Sequence, residues 1–116
     1  MQEFDIPIFK KAYDLYKQFH DIRNKAPKQD RYTIYQKCED NLLEVIEGIL
    51  EASQTSKNEK LPILNKTSLK LSLLRVFFRL LKDIKSIDIK NYSSMEESVD
   101  KIGRMLGGWI KSTKEA

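Results

Sequence analysis

Few side chains in this sequence could carry covalent chemistry. There is one histidine, His20, and one cysteine, Cys38. His20 stands beside Asp21 with no second His or Cys near it, so a metal site or a general base would have one ring and no helper. Cys38 falls among apolar residues at helical spacing, where a thiol acts as a small core side chain. A lone Cys also rules out an internal disulfide and a Cys-rich zinc site. The acidic groups Glu44/Glu47 and Glu96/Glu97/Asp100 could suggest carboxylate chemistry. A di-metal helical bundle, however, needs Glu-x-x-His motifs on its inward faces, and the sequence has none. No Gly-rich phosphate loop occurs either. The expectation is a protein that is not an enzyme and holds no metal or cofactor.

The chemistry left is electrostatic. Arg75, Arg79 and Lys82 lie within two helical turns, on a polar row that runs Asn65, Ser68, Ser72, Arg75, Arg79, Lys82, Ser86. The steps alternate three and four, so the row is one narrow stripe of a helix. Arg forks suit phosphate oxygens. Cations repeated around an oligomer could hold a polyanion with few charges per chain, through counterion release. The alternative reading is a solvated face, or pairing with Asp40, Glu44 or Glu47 of the preceding helix.

The elements that must position this stripe are helical. The chain has 116 residues, the size of one domain, with four Gly and three Pro. That supply of turn formers is too small for a fold of many tight turns. Apolar residues recur at Phe9, Ala12, Tyr16 and Phe19; at Tyr35, Cys38, Leu42, Val45, Ile49 and Ala52; and at Tyr92, Met95, Val99, Ile102, Leu106 and Trp109. Each set has the 3–4 spacing of one buried helix face. The spacing and the punctuation predict helices at about 7–25, 31–55, 59–85 and 89–111. Pro7 opens the first and Pro27 closes it. Asp30 is expected to cap the second, and Asp88 the fourth with Ile87 and Tyr92 as a hydrophobic staple. Residues 112–116 are expected to fray. Short connections between long helices imply an all-α, antiparallel, up-down-up-down four-helix bundle in a single domain spanning 1–116. No apolar run approaches ~18 residues and no basic-then-apolar leader opens the chain, which predicts a cytoplasmic protein that spans no membrane.

Charge is distributed unevenly over these helices. The net charge is +4, but residues 30–56 carry two basic and six acidic side chains, whereas residues 57–87 carry eight and two. The third helix is also too apolar for a monomer. Apart from the polar stripe it is nearly all Leu, Ile, Val and Phe, an arc well beyond the ~100° that a bundle helix must bury. The excess predicts self-association, with Leu73, Val76, Phe77, Leu80 and Trp109 as interface residues; a deeply buried helix is the other reading. Gly103, Gly107 and Gly108 each weaken the fourth helix by ~1 kcal/mol relative to Ala, which calls for close approach of a helix or a subunit.

The run Ile102-Gly103-Arg104-Met105-Leu106-Gly107-Gly108-Trp109-Ile110-Lys111 resembles the end of the accessory variability determinant (Avd) proteins of diversity-generating retroelements. Ile6-Pro7-Ile8-Phe9 with Tyr13-Asp14-Leu15-Tyr16 is similar to their opening, and Asp30-Arg31-Tyr32 to the start of their second helix. Leu74-Arg75 and Arg79-Leu80-Leu81-Lys82-Asp83 fit their third. The helical pattern also fits the related ribosomal intervening-sequence bundle proteins. The Avd resemblance implies a ring-like homopentamer that binds the element's reverse transcriptase and nucleic acid, chiefly template RNA and secondarily DNA, as a non-catalytic subunit in mutagenic cDNA synthesis. The positions it matches are Arg75, Arg79, Lys82 and Arg104. Charge and exposure add Lys66, Lys70, Lys10 and Lys11. The rival reading is a helical protein–protein module, or an intervening-sequence-type bundle, without a retroelement role.

Overall fold

The computed structural model describes residues 3–115. After a 3-10 turn at Glu3–Asp5 come α1 (Pro7–Asn24), the single turn α2 (Lys28–Arg31), α3 (Ile34–Ser53), α4 (Leu61–Asp83) and α5 (Ile89–Lys114). The described residues contain no strand. The four long helices form a bundle of about 46 × 27 × 22 Å. Each packs on its chain neighbour, and α1 closes the ring of contacts against α5. Successive cross-helix contacts fix the directions: Glu44 meets Lys70 and Gly48 meets Thr67; Arg75 meets Asp100 and Lys82 meets Tyr92; Gln18 meets Ser94 and Ile8 lines one hollow with Trp109; Arg23 meets Glu39 and Ile8 lines that hollow with Ser53. Along each interface one number rises as the other falls, so neighbours are antiparallel.

The core follows the apolar periodicity. Leu15 and Phe19 of α1, Tyr35, Cys38, Leu42, Val45 and Ile49 of α3, Leu74 and Phe78 of α4, and Met95, Val99 and Ile102 of α5 are all buried. Phe19 stacks on both Tyr35 and Phe78, with ring centroids 5.8 and 5.7 Å apart, and so joins α1 to the diagonal helix α4 across the core. Tyr35 keeps its polar tip satisfied by donating to the Ser86 carbonyl at 3.0 Å. Among the described residues no helix is long and apolar enough to cross a membrane.

Two local expectations are corrected. Asp30 does not cap α3. It lies inside α2, and the residue before α3 is Thr33, which makes no side-chain cap. Pro27, which cannot continue the first helix, starts a separate turn instead, and a side-chain network holds it: Arg23 Nε donates to the Arg31 carbonyl at 3.1 Å and Arg31 to the Ala26 carbonyl at 2.9 Å. At the other end, Ser112–Lys114 continue α5 rather than fraying. Thr113 is buried there, and its hydroxyl donates to the Trp109 carbonyl at 2.8 Å. Asp88 does cap α5, accepting from the Asn91 N–H at 2.7 Å.

Candidate nucleic-acid interface on helices four and five

At ~100° per residue, the side chains of α4 fall into three rows. Leu64, Thr67, Leu71, Leu74, Phe78 and Leu81 face the core. The polar row runs along the edge next to α5. A third row, Leu69, Leu73, Val76, Leu80 and Ile84, lies about 150° around the helix from the core row. The wide apolar arc of the sequence is therefore two stripes, one buried and one turned to solvent. Leu69 is 60% exposed, Val76 61%, Leu80 44% and Ile84 49%. Leu73 and Phe77 are half-buried.

The polar row borders a groove between α4 and α5 of about 320 Å³, lined by Ser68, Leu71, Ser72 and Arg75 from α4 and Asp100, Gly103 and Arg104 from α5. Small residues make this groove. Ser68 and Ser72 are one turn apart on α4, and Gly103 faces them from α5. A Cβ at Gly103 would come within 3.2 Å of Arg75 Nη2 and 3.7 Å of Leu71 Cδ2. The close approach expected of the glycines is thus met inside the chain at Gly103. Gly107 and Gly108 face open space.

The cations along this edge have light partners. Arg75 pairs with Asp100, both side chains nearly half exposed. Arg79 reaches Asp83 of its own helix at 3.4 Å. Lys82 Nζ sits 5.0 Å from the centroid of the Tyr92 ring; a hydrogen bond to Glu96 raises the pKa of that tyrosine. Arg104 is exposed, with no ion pair among the described residues. Exposed pairs of this kind are worth ~0–1 kcal/mol, so a phosphate could replace either carboxylate at little cost.

The other candidate residues lie elsewhere. Lys66 and Lys70 are on the opposite edge of α4, in a groove shared with Glu44, Glu47 and Glu51 of α3; Lys70 pairs with Glu44 at 3.1 Å. The pairing considered between the stripe cations and Asp40, Glu44 or Glu47 does not form among the described residues: Arg75 and Arg79 pair with Asp100 and Asp83, and it is Lys70 that takes Glu44. Lys10 and Lys11 are exposed on α1, diagonal to α4. Lys10 pairs with Asp14 at 2.7 Å, and this bond holds the Asp14 carboxyl below its usual range. Trp109 is apart from the apolar row of α4. It lines an apolar hollow of about 590 Å³ at one end of the bundle with Ile6, Pro7, Ile8 and Met105, and Lys60 Nζ lies 5.4 Å from its ring centroid.

The two reactive side chains are accounted for by packing. Cys38 is buried, and burial pushes its thiol up to about 12, so it is neither nucleophile nor ligand near neutral pH. His20 is exposed and stacked on Tyr16 with centroids 6.2 Å apart. Among the described residues, no three His, Cys, Asp or Glu side chains are grouped to hold an ion. Sequence reasoning missed Asp100 as the partner of Arg75. The paired small residues, Ser68/Ser72 opposite Gly103, were the available signal for a groove at that place.

A sequence profile described as bAvd-like matches residues 7–113. No curated protein sequence matches the chain. Six solved chains match it in structure. One of them is a crystal structure of a protein of unknown function from the S23 ribosomal protein family of Bacteroides thetaiotaomicron VPI-5482, with a TM-score of 0.83 at 17% identity, covering 96% of this chain and 99% of that one. At that identity the likeness is one of fold.

Proposed function

The chain belongs to the bAvd-like family, and on that premise we propose that it is a non-catalytic accessory subunit of a diversity-generating retroelement. In this reading it acts in the cytoplasm as a ring-like homo-oligomer, five copies by family resemblance, and binds the element's reverse transcriptase and template RNA, with DNA as a second ligand. The observation that carries the nucleic-acid part is the edge formed by α4 and α5. There Arg75 and Arg104 line a groove with Ser68, Ser72 and Gly103, and Arg79 and Lys82 continue the same row of α4 beyond it. Small side chains let a sugar–phosphate backbone come close, and forked cations give it partners. The exposed apolar row of α4 supports the oligomer.

The test is RNA binding by fluorescence anisotropy over a salt series, with light scattering on the same samples. The expected result is an oligomer whose affinity falls steeply with salt, and a log–log slope that loses about 1 for each phosphate contact removed in Arg75→Ala or Arg104→Ala. A monomer at micromolar concentration would sink the ring. Salt-insensitive binding, or full binding by the Arg75→Ala/Arg104→Ala double variant, would remove this edge from the mechanism.

A further inference from the structure

Gly107 and Gly108 are a pair that neither the packing of α5 nor the α4–α5 groove explains. Both weaken the helix, yet neither makes room for a neighbouring one: nothing lies within 4 Å of a Cβ built at either. At ~100° per residue, Met105, Gly108 and Trp109 share one face of α5. Gly108 therefore leaves open ground on the face that carries the Trp109 ring. That face borders the hollow of about 590 Å³ at the end of the bundle, where Ile6, Pro7 and Ile8 at the start of α1 meet Met105 and Trp109. The hollow has the size and make-up of a small-ligand pocket, ~300–1,000 Å³ with apolar and aromatic walls and few polar groups. Met105, 37% exposed, is a side chain that adapts to the shape of what it meets.

Two polar residues complete the wall, Ser53 and Lys60. The Ser53 hydroxyl already donates to the Leu50 carbonyl at 2.6 Å. Lys60 is the one charged residue on the wall among the described residues, and it forms no ion pair with any of them. Its Nζ lies 5.4 Å from the centre of the Trp109 ring. A ring offers a cation its π face but no lone pair, so the ammonium still has N–H donors for an oxygen acceptor.

We infer that this hollow is a binding site for a small monoanionic amphiphile, an aliphatic chain ending in a carboxylate. The chain lies on Ile6, Ile8 and Met105 beside the Trp109 ring, and the carboxylate accepts from Lys60. The charge on the wall selects the head. One ammonium offsets one negative charge, whereas a dianionic phosphate would leave a charge unmatched at an apolar wall. A cationic head would meet Lys60 with its own sign. The hollow shares no lining residue with the α4–α5 groove, so the site stands apart from the nucleic-acid reading.

Trp109 is the only tryptophan of the chain, and its emission reports the site directly. The intact protein is titrated with decanoate, decanol and decyltrimethylammonium at neutral pH, each below the concentration at which it aggregates. Decanoate is expected to change the emission saturably and to bind about 3- to 10-fold more tightly than decanol, the worth of one exposed ion pair; decyltrimethylammonium is expected to bind most weakly. Lys60→Met keeps an unbranched side chain without the charge. It is expected to bring decanoate down to the affinity of decanol and to leave decanol unchanged, a split that loss of structure would not produce. No saturable response to decanoate, equal affinities for decanoate and decyltrimethylammonium, or unchanged decanoate binding in Lys60→Met would each overturn the assignment. So would an emission shift that follows protein concentration or added phospholipid vesicles while decanoate has no effect, which would give the hollow to a second copy or to a membrane surface.

Discussion

Arg75 of α4 and Asp100 of α5 face each other across the groove that Gly103 opens, and they join the two helices there as an ion pair. On the proposed nucleic-acid reading, the carboxylate stands where a phosphate oxygen would meet the guanidinium, so Asp100 would both hold the Arg75 fork in the groove and compete for it. A small anion would have to displace Asp100 at a single point, whereas a polyanion would do so while also engaging Arg79, Lys82 and Arg104, so the proposed site should favour extended ligands over small ones.

Asp100→Asn should therefore tighten RNA binding about 3- to 10-fold at moderate salt, the size expected when an exposed competing pair worth ~1 kcal/mol is lost. Glu97→Gln makes the same change of charge away from the groove and should do less. In an Arg75→Ala background the gain from Asp100→Asn should shrink to that of Glu97→Gln. Anisotropy titrations of wild type, Asp100→Asn, Glu97→Gln, Arg75→Ala and the Arg75→Ala/Asp100→Asn double variant measure this. Equal gains from Asp100→Asn and Glu97→Gln would mean that only net charge matters.

Three glycines separate packing from propensity. A Cβ at Gly48 would collide with the Thr67 side chain, which is itself held by a 2.8 Å bond to the Ile63 carbonyl. Gly48→Ala should lower stability by about 1–3 kcal/mol through overpacking of α3 on α4. Gly107 and Gly108 have nothing within 4 Å of such a Cβ. Gly107→Ala and Gly108→Ala should each raise stability by up to ~1 kcal/mol, the helix-propensity difference. Urea midpoints of the three variants give the signs directly.

Most of the helical architecture was legible because three of the helices bury one plain stripe, and Phe19, Leu42 and Ile102 all sit where the 3–4 spacing puts them. The breaks were less legible. Asp30 has the chemistry of a cap, but what holds the connector is the Arg23–Arg31–Ala26 chain of hydrogen bonds, whose members are far apart in spacing rules. Thr113 looked like tail sequence because its burial and its bond to the Trp109 carbonyl appear only once the helix has formed. On α4 the sequence showed too much apolar surface but could not divide it between core and solvent, since one-dimensional spacing does not say where the neighbouring helices stand. The same limit hid Asp100, which meets Arg75 only when α5 runs antiparallel beside α4, and it grouped Trp109 with residues from which the fold keeps it apart.

The side-chain cap of α5 predicts a local cost. Asp88 accepts from the Asn91 N–H at 2.7 Å and places a negative charge at the positive end of a 26-residue helix. Asp88→Ala should lower stability by about 0.5–2 kcal/mol, and Asp88→Ser should recover most of it. Equal losses in both variants would point to the charge rather than to the cap geometry.

Stability should fall in alkali, and the buried thiol gives the window. Burial pushes Cys38 from 9.0 up to about 12, and burial likewise raises Tyr35 above 10.0. The folded protein keeps these protons at a pH where the unfolded chain has released them. Whenever the native state binds more protons, stability declines as pH rises. The contribution of Cys38 is complete below about pH 9 and is lost as pH climbs toward about 12, at on the order of 1 kcal/mol per pH unit. Cys38→Ala removes the titrating group; its stability at neutral pH should be lower, because a small cavity replaces the sulfur, but its decline between pH 9 and 11 should be shallower, with Tyr35, Tyr16 and Tyr92, all raised, supplying what slope remains. Urea unfolding at pH 7, 9, 10 and 11 compares the two curves. Parallel curves would mean that Cys38 is not the group that titrates on unfolding. A thiol-alkylating reagent gives an independent reading, since at pH 8 it should modify Cys38 only at the rate at which the bundle opens.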